Sequence, residues 1–140
     1  MTLKMGLDEL HDFLQREFGQ VAGDFELLDV SPMHAVVRTH ISDKHLRPGG
    51  TVSGPTMFAL ADVAFYLAVL AMVGPKALAV TTNCAIDFMR KPVANANLRG
   101  EARLLKLGKV LAMGDVLIFS EGEDQPVARA SMTYSIPPAK

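Results

Sequence analysis

The 140 residues contain one cysteine, Cys84, so no internal disulfide can form and the fold is not a disulfide framework. That usage fits a reducing compartment, and a cytoplasmic location is expected. Neither sign of charge is in surplus: 14 Lys and Arg stand against 15 Asp and Glu, a net charge of −1. A general nucleic-acid binder needs a basic surface to displace counterions from phosphates, so no nucleic-acid partner is expected. Internal repeats and low-complexity tracts are missing. Residues 1–19 mix charged and apolar side chains without the apolar run of a signal peptide. His11, His34 and His40 have no metal-ligand spacing with Cys84 or with acids, so neither a metal nor another cofactor is expected.

What is present is the balance of an ordinary globular chain, 49% hydrophobic and 21% charged. The length suits one domain over residues 1–140 with a sizeable core. One segment stands apart. Between Pro48 and Pro75, Asp62 is the only charged side chain. A membrane span takes about 20 apolar residues, so the length is borderline. A mid-membrane aspartate costs about 2.5 kcal/mol or more, and no basic cluster flanks the run. The expected structure is therefore a soluble helix covered by protein on every side, with no membrane partner.

Periodicity supplies the other elements. Leu7, Leu10, Phe13, Leu14 and Phe18 have helical spacing, with Gly19 as a stop. Residues 24–41 read as two short strands parted by Ser31-Pro32. Residues 42–53 form a loop rich in Gly and Pro. Ser53 or Gly54 can cap the apolar helix, Pro55 suits its first position, and Gly74-Pro75 ends it. Leu78, Val80, Thr82, Cys84, Ile86 and Phe88 alternate with polar and small residues as one long strand. Residues 98–107, a run carrying Leu111, Met113, Leu117 and Phe119, and a run from Ala128 to Ile136 read as three more strands. Hairpin connections throughout predict an antiparallel sheet. A helix apolar on all sides requires that sheet to curl around it, so the class is α+β, a curved sheet wrapped on a long central helix.

Asp62 is the leading candidate for chemistry. A lone carboxylate in an uncharged helix is expensive to bury unless paired, hydrogen-bonded or used. An aspartate facing solvent through a gap is the simpler alternative, but the surrounding residues leave no obvious wet face. The loop before the helix, Arg47 to Gly54, delivers backbone to a helix N-terminus whose first N–H groups are unpaired. Such donors can hold the oxyanion of an acyl transfer. Carboxylate plus oxyanion donors is a sensible set for hydrolysing a thioester.

The stretch GGTVSGPTMFALADVAFY resembles the signature of hotdog-fold thioesterases, in the subgroup of phenylacetate-pathway and 4-hydroxybenzoyl-CoA thioesterases. Ala85 to Pro92 is similar to a strand end of the same family, and the order of elements matches over nearly the whole chain. The resemblance implies a hotdog fold and an acyl-CoA thioesterase acting on a small or medium acyl group. It places Asp62 on the catalytic acid and Gly54 on the glycine whose N–H polarises the thioester carbonyl. It implies a homodimer or homotetramer in which that glycine faces the partner's acid. Thr81 falls near a Ser/Thr position that orients water or the carboxylate, with Thr82 as the alternative.

Three positions depart from the pattern. Ser53 stands where the family has histidine, Pro55 replaces a glycine, and Arg47 replaces Asn or Gln. Serine still hydrogen-bonds but does not titrate near neutrality. Arg47, if it points inward, brings a positive charge near Asp62. Arg47, Gly50, Pro55, Tyr66, Arg90 and Lys91 are the candidate substrate-binding residues, Lys106 and Lys109 further candidates for CoA phosphates. His45 reads as a solvated loop residue, Cys84 as a buried small hydrophobe. Two other functions remain: a non-catalytic acyl-CoA or acyl-ligand binder, motivated by the missing histidine, and a hydratase, disfavoured because no His follows Asp62.

Overall fold

A computed structural model describes residues 2–76 and 78–138 of the chain. Helix α1 (Leu7–Glu17) buries Leu10, Phe13 and Leu14, and a four-residue helix α2 (Gly19–Ala22) follows it, an element the periodicity does not show. Strands β1 (Phe25–Ser31) and β2 (His34–Thr39) pair as a hairpin; Met33 turns it with φ 66°. The apolar run is helix α3 (Gly54–Val73). Ser53 caps it, with Oγ accepting the Thr56 N–H at 3.2 Å, and Gly74 closes it with φ 94°. Strands β3 (Val80–Phe88), β4 (Leu98–Leu107), β5 (Leu111–Ser120) and β6 (Ala128–Ser135) complete the chain.

All pairings are antiparallel, in the spatial order β1-β2-β4-β5-β6-β3. The sheet wraps α3, which explains a helix with no polar face: Leu60, Ala61, Ala64, Phe65, Leu67, Ala68 and Leu70 are buried. By length and composition α3 could cross a membrane, yet two-thirds of its most apolar window, 67%, is buried inside the protein. Two glycines let helix and sheet approach. A Cβ on Gly100 would meet Leu60 Cγ at 3.0 Å, and one on Gly114 would lie 2.8 Å from Phe65 Cε1. This is the hotdog fold.

Three expectations need correction. β3 and β4 do not form a hairpin: β3 joins β6 at one edge, whereas β4 lies between β2 and β5. The turn residues around Lys91-Pro92 and Asn95 bend a longer crossover, pinned where Ser120 Oγ accepts the Val93 N–H at 2.9 Å. The phase of β5 is also reversed. Ala112, Val116 and Ile118 face the helix while Leu111 and Met113 are exposed, because only small residues fit where Phe65 crosses Gly114. Finally, the alternation of β3 is broken by a bulge between Thr81 and Asn83. A bulge inserts one residue and re-aims the side chains before it. Val80 and Thr82 therefore lie exposed and Thr81 turns toward α3, while Leu78, also exposed, falls in the turn before the strand.

Candidate active site

Asp62 sits midway along α3, half-buried. Thr81 Oγ1 donates to its Oδ1 at 2.5 Å, and the Tyr134 hydroxyl donates to the same oxygen at 2.7 Å. The phenol also lies 3.0 Å from the Asp62 carbonyl oxygen. Thr81 and Tyr134 are direct cross-strand partners on β3 and β6, so the sheet delivers both hydroxyls to one point. Among the described residues no side chain donates to Oδ2. Burial, then the Asp62 charge, pushes the Tyr134 phenol well above its usual range, so it stays protonated and remains a donor. Two hydroxyl donors at one oxygen fix the carboxylate's orientation and leave the other oxygen to work.

The predicted residues divide between two places. A cavity of about 430 Å³ gathers Asp62, Tyr66, Thr81 and Tyr134 with Phe18 and Val80. A neighbouring one of about 460 Å³ joins Asp62 to Ser53, Pro55 and Thr56. Gly54 belongs elsewhere: it lines a cleft of about 450 Å³ with Arg47, Arg90, Lys91 and Phe88. At 1.5 Å rise per residue, eight residues separate Gly54 from Asp62 by about 12 Å along α3. Within one protomer the two therefore stand apart. Each chain thus carries two candidate half-sites, one with the carboxylate and one with the backbone donor and three cations.

The Gly54 N–H is a first-turn donor, and among the described residues no acceptor takes it. Arg47 is exposed in the Gly54 cleft and does not approach Asp62 in the same chain. Arg90 donates to the Pro126 carbonyl oxygen at 2.7 Å. Gly50, with φ 82°, closes a turn onto the Arg47 carbonyl at 3.0 Å and lines neither half-site. Ser53 spends its hydroxyl on the cap, exchanging a further bond with Thr56 Oγ1 at 2.8 Å. Thr82 turns away, donating to the Thr133 carbonyl oxygen at 3.3 Å. Lys109 lines a different cavity, at the other end of α3.

His45 is not solvated. It is buried, its Nδ1 accepts the Ser42 N–H at 2.9 Å, and its carbonyl oxygen takes the Ser53 N–H. Its work is to fold the loop ahead of the α3 cap. Cys84 is half-buried, and burial followed by the Asp62 charge pushes its thiol up. Tyr66 is pushed up to about 12, by burial first and the Glu17 charge second. Tyr134 is the residue the sequence reading missed. The available signal was a tyrosine on the inward face of an apolar strand, where its hydroxyl must find a partner.

Residues 49–127 match the model of the thioesterase superfamily, and the chain belongs to that family. It is similar to a candidate thioesterase from Silicibacter sp. TM1040, at 54% identity over 99% of this chain and 96% of that one, with a TM-score of 0.92. It is similar to the phenylacetic acid degradation protein PaaI from Thermus thermophilus, at 31% identity over 85% and 99%, TM-score 0.74. The smu.793 protein of Streptococcus mutans UA159, solved bound to acetyl CoA, shares the fold at 23% identity over 83% and 90%, TM-score 0.72. A search of curated proteins finds no match.

Proposed function

We propose that the protein hydrolyses a small or medium acyl-CoA thioester at a site completed by two protomers. The observation that carries this reading is Asp62, held through Oδ1 by Thr81 and Tyr134 and lining a largely apolar cavity. The thioester carbonyl oxygen rests on the Gly54 N–H at the positive end of α3. Oδ2 of the facing protomer either deprotonates a water whose oxygen bonds to the carbonyl carbon, or bonds to that carbon itself and forms an acyl-aspartate anhydride that water then hydrolyses to the free acid. The C–S bond breaks, and the proton taken from water ends on the CoA sulfur. Arg47, Arg90 and Lys91 beside Gly54 suit the phosphates of CoA.

The edge strand supports the assembly. β3 ends the sheet, and Val80, Phe88 and Met89 are exposed along it. Its first residues neighbour Asp62 through Thr81; its last residue, Phe88, stands against Gly54, where an added Cβ would lie 3.3 Å from the ring. Antiparallel pairing of two β3 strands about a twofold axis lays the start of one on the end of the other. That brings Gly54 of one protomer to Asp62 of its partner. It also covers an unprotected edge. The S. mutans relative bound to acetyl CoA supports the choice of CoA thioesters.

The test is free-thiol release from short, medium, long and aromatic acyl-CoAs by wild type and Asp62→Ala. Turnover that vanishes in the variant supports the reading. Acyl-CoA binding without turnover makes the protein a binder, with Ser53, already used in capping, marking the lost histidine function.

A further inference from the structure

We propose that the cleft at the carboxyl end of α3 is a second binding site, one that takes a long-chain carboxylate. It is the largest cavity described, about 1050 Å³, at the upper end of the range of small-molecule sites. Its position separates it from the half-sites. Met72 lies ten residues beyond Asp62, about 15 Å along the helix, and further still from Gly54.

The lining has two parts. Met72, Leu107 and Ile136 give an apolar surface, and Lys4, Lys76 and Lys109 surround it. No Asp or Glu is among the lining residues. Among the described residues, Lys44 is the only lysine in an ion pair. The three amines are not needed to cap the helix either. Ala71 O accepts the Lys4 N–H at 2.7 Å and the Met5 N–H at 3.2 Å, and Leu70 O accepts the Gly74 N–H at 2.9 Å. The helix end itself carries about half a negative charge, which three cations outweigh.

Charge complementarity selects the occupant. A second copy packed here about a twofold axis would set three lysines against three lysines. A neutral lipid leaves the amines without partners. Arginine, which grips phosphate at two points, is absent from the lining, and the cations here are lysine alone. A compact carboxylate head suits lysines as point charges, and their stems extend the apolar wall along a chain.

The test uses dodecanoate below its micelle concentration, followed by methyl NMR and calorimetry. The expected result is saturable binding that shifts the methyl signals of Met72, Leu107 and Ile136. Lys4→Glu/Lys76→Glu, with its melting temperature retained, should bind at least about tenfold more weakly, about 1.4 kcal/mol. Dodecyltrimethylammonium should bind wild type more weakly than dodecanoate by a similar factor. Three results overturn the proposal: shifts confined to Val63 and Val80 beside Asp62, equal affinity for the cationic amphiphile, or association with phosphatidylglycerol vesicles but not with dodecanoate.

Discussion

The Tyr134 hydroxyl lies 2.7 Å from Asp62 Oδ1 and 3.0 Å from the carbonyl oxygen of the same residue, tying the last strand of the sheet to the middle of α3. The phenol bonds to Oδ1 and not to Oδ2, so in the proposed reaction its part is to position the carboxylate. Tyr134→Phe keeps the ring against Phe65, centroids 5.4 Å apart in the native pair, and removes only the donor. We expect kcat to fall roughly tenfold with KM nearly unchanged, and stability to fall by about 1.5 kcal/mol. Steady-state kinetics and a thermal melt check both. Because the phenol is held above its usual range, the wild-type rate should show no step from Tyr134 near about pH 10, where an ordinary tyrosine ionises.

Thr81 gives a sharper contrast, since two replacements bracket the hydroxyl. Thr81→Val preserves shape and loses the bond to Asp62; Thr81→Ser keeps the bond. The expected outcome is a loss of kcat of roughly tenfold or more in the valine variant and substantial recovery in the serine variant. Equal activity in the two would remove Thr81 from the site. Thr82→Val should leave the rate alone, because its hydroxyl turns to the Thr133 carbonyl.

Gly54 allows the N–H to be tested apart from the space around it. Ser53 has φ −74° and ψ 152°, a conformation compatible with a following proline, and the first helical position tolerates a missing N–H. Gly54→Ala and Gly54→Pro both place a Cβ near the Phe88 ring, but only proline removes the donor. We expect the proline variant to fall below the alanine variant by about 100-fold in kcat. Parallel measurement of kcat in both, with circular dichroism to confirm α3, decides it.

Much of this was legible in the sequence. The uncharged run around Asp62 announced a helix wrapped by its own sheet, and its cap and stop residues set the ends. The inward face of β6 followed from Ala128, Ala130, Met132, Tyr134 and Ile136, all buried. What escaped depended on tertiary geometry. The β3 bulge shifts the alternation by one residue, so a period-two reading favours Thr82 inward when Thr81 is the residue that meets Asp62. β5 is apolar on both faces, and only the crossing of Phe65 over Gly114 selects which one faces α3. The eight-residue spacing from Gly54 to Asp62 was visible at once; that it divides the site follows from helix geometry.

Away from the site, Arg38 forms a two-point contact with Glu121 at 2.8 and 2.9 Å and reaches Glu26 at 3.0 Å. The Arg38 hydrogen bond is the largest cause holding each carboxyl below its usual value, 4.5. Groups lowered in the folded state stabilise it above their unfolded value and lose that contribution as pH falls through the folded values. Arg38→Met should therefore cost of order 1 kcal/mol at neutral pH. The gap in melting temperature between variant and wild type should narrow below about pH 4, as both carboxyls protonate. Melts across pH 3–7 measure it, and a gap independent of pH would point to lost packing instead.

The central claim is that one active site needs Gly54 from one protomer and Asp62 from its partner. Co-refolding Gly54→Pro with Asp62→Asn tests it most directly. Each variant alone has only broken sites, but a mixed dimer contains one site made of two intact halves. With random pairing, the account predicts recovery of about a quarter of wild-type thiol release. Two inactive variants that stay inactive after mixing, with heterodimers demonstrated by native mass spectrometry, would contradict it.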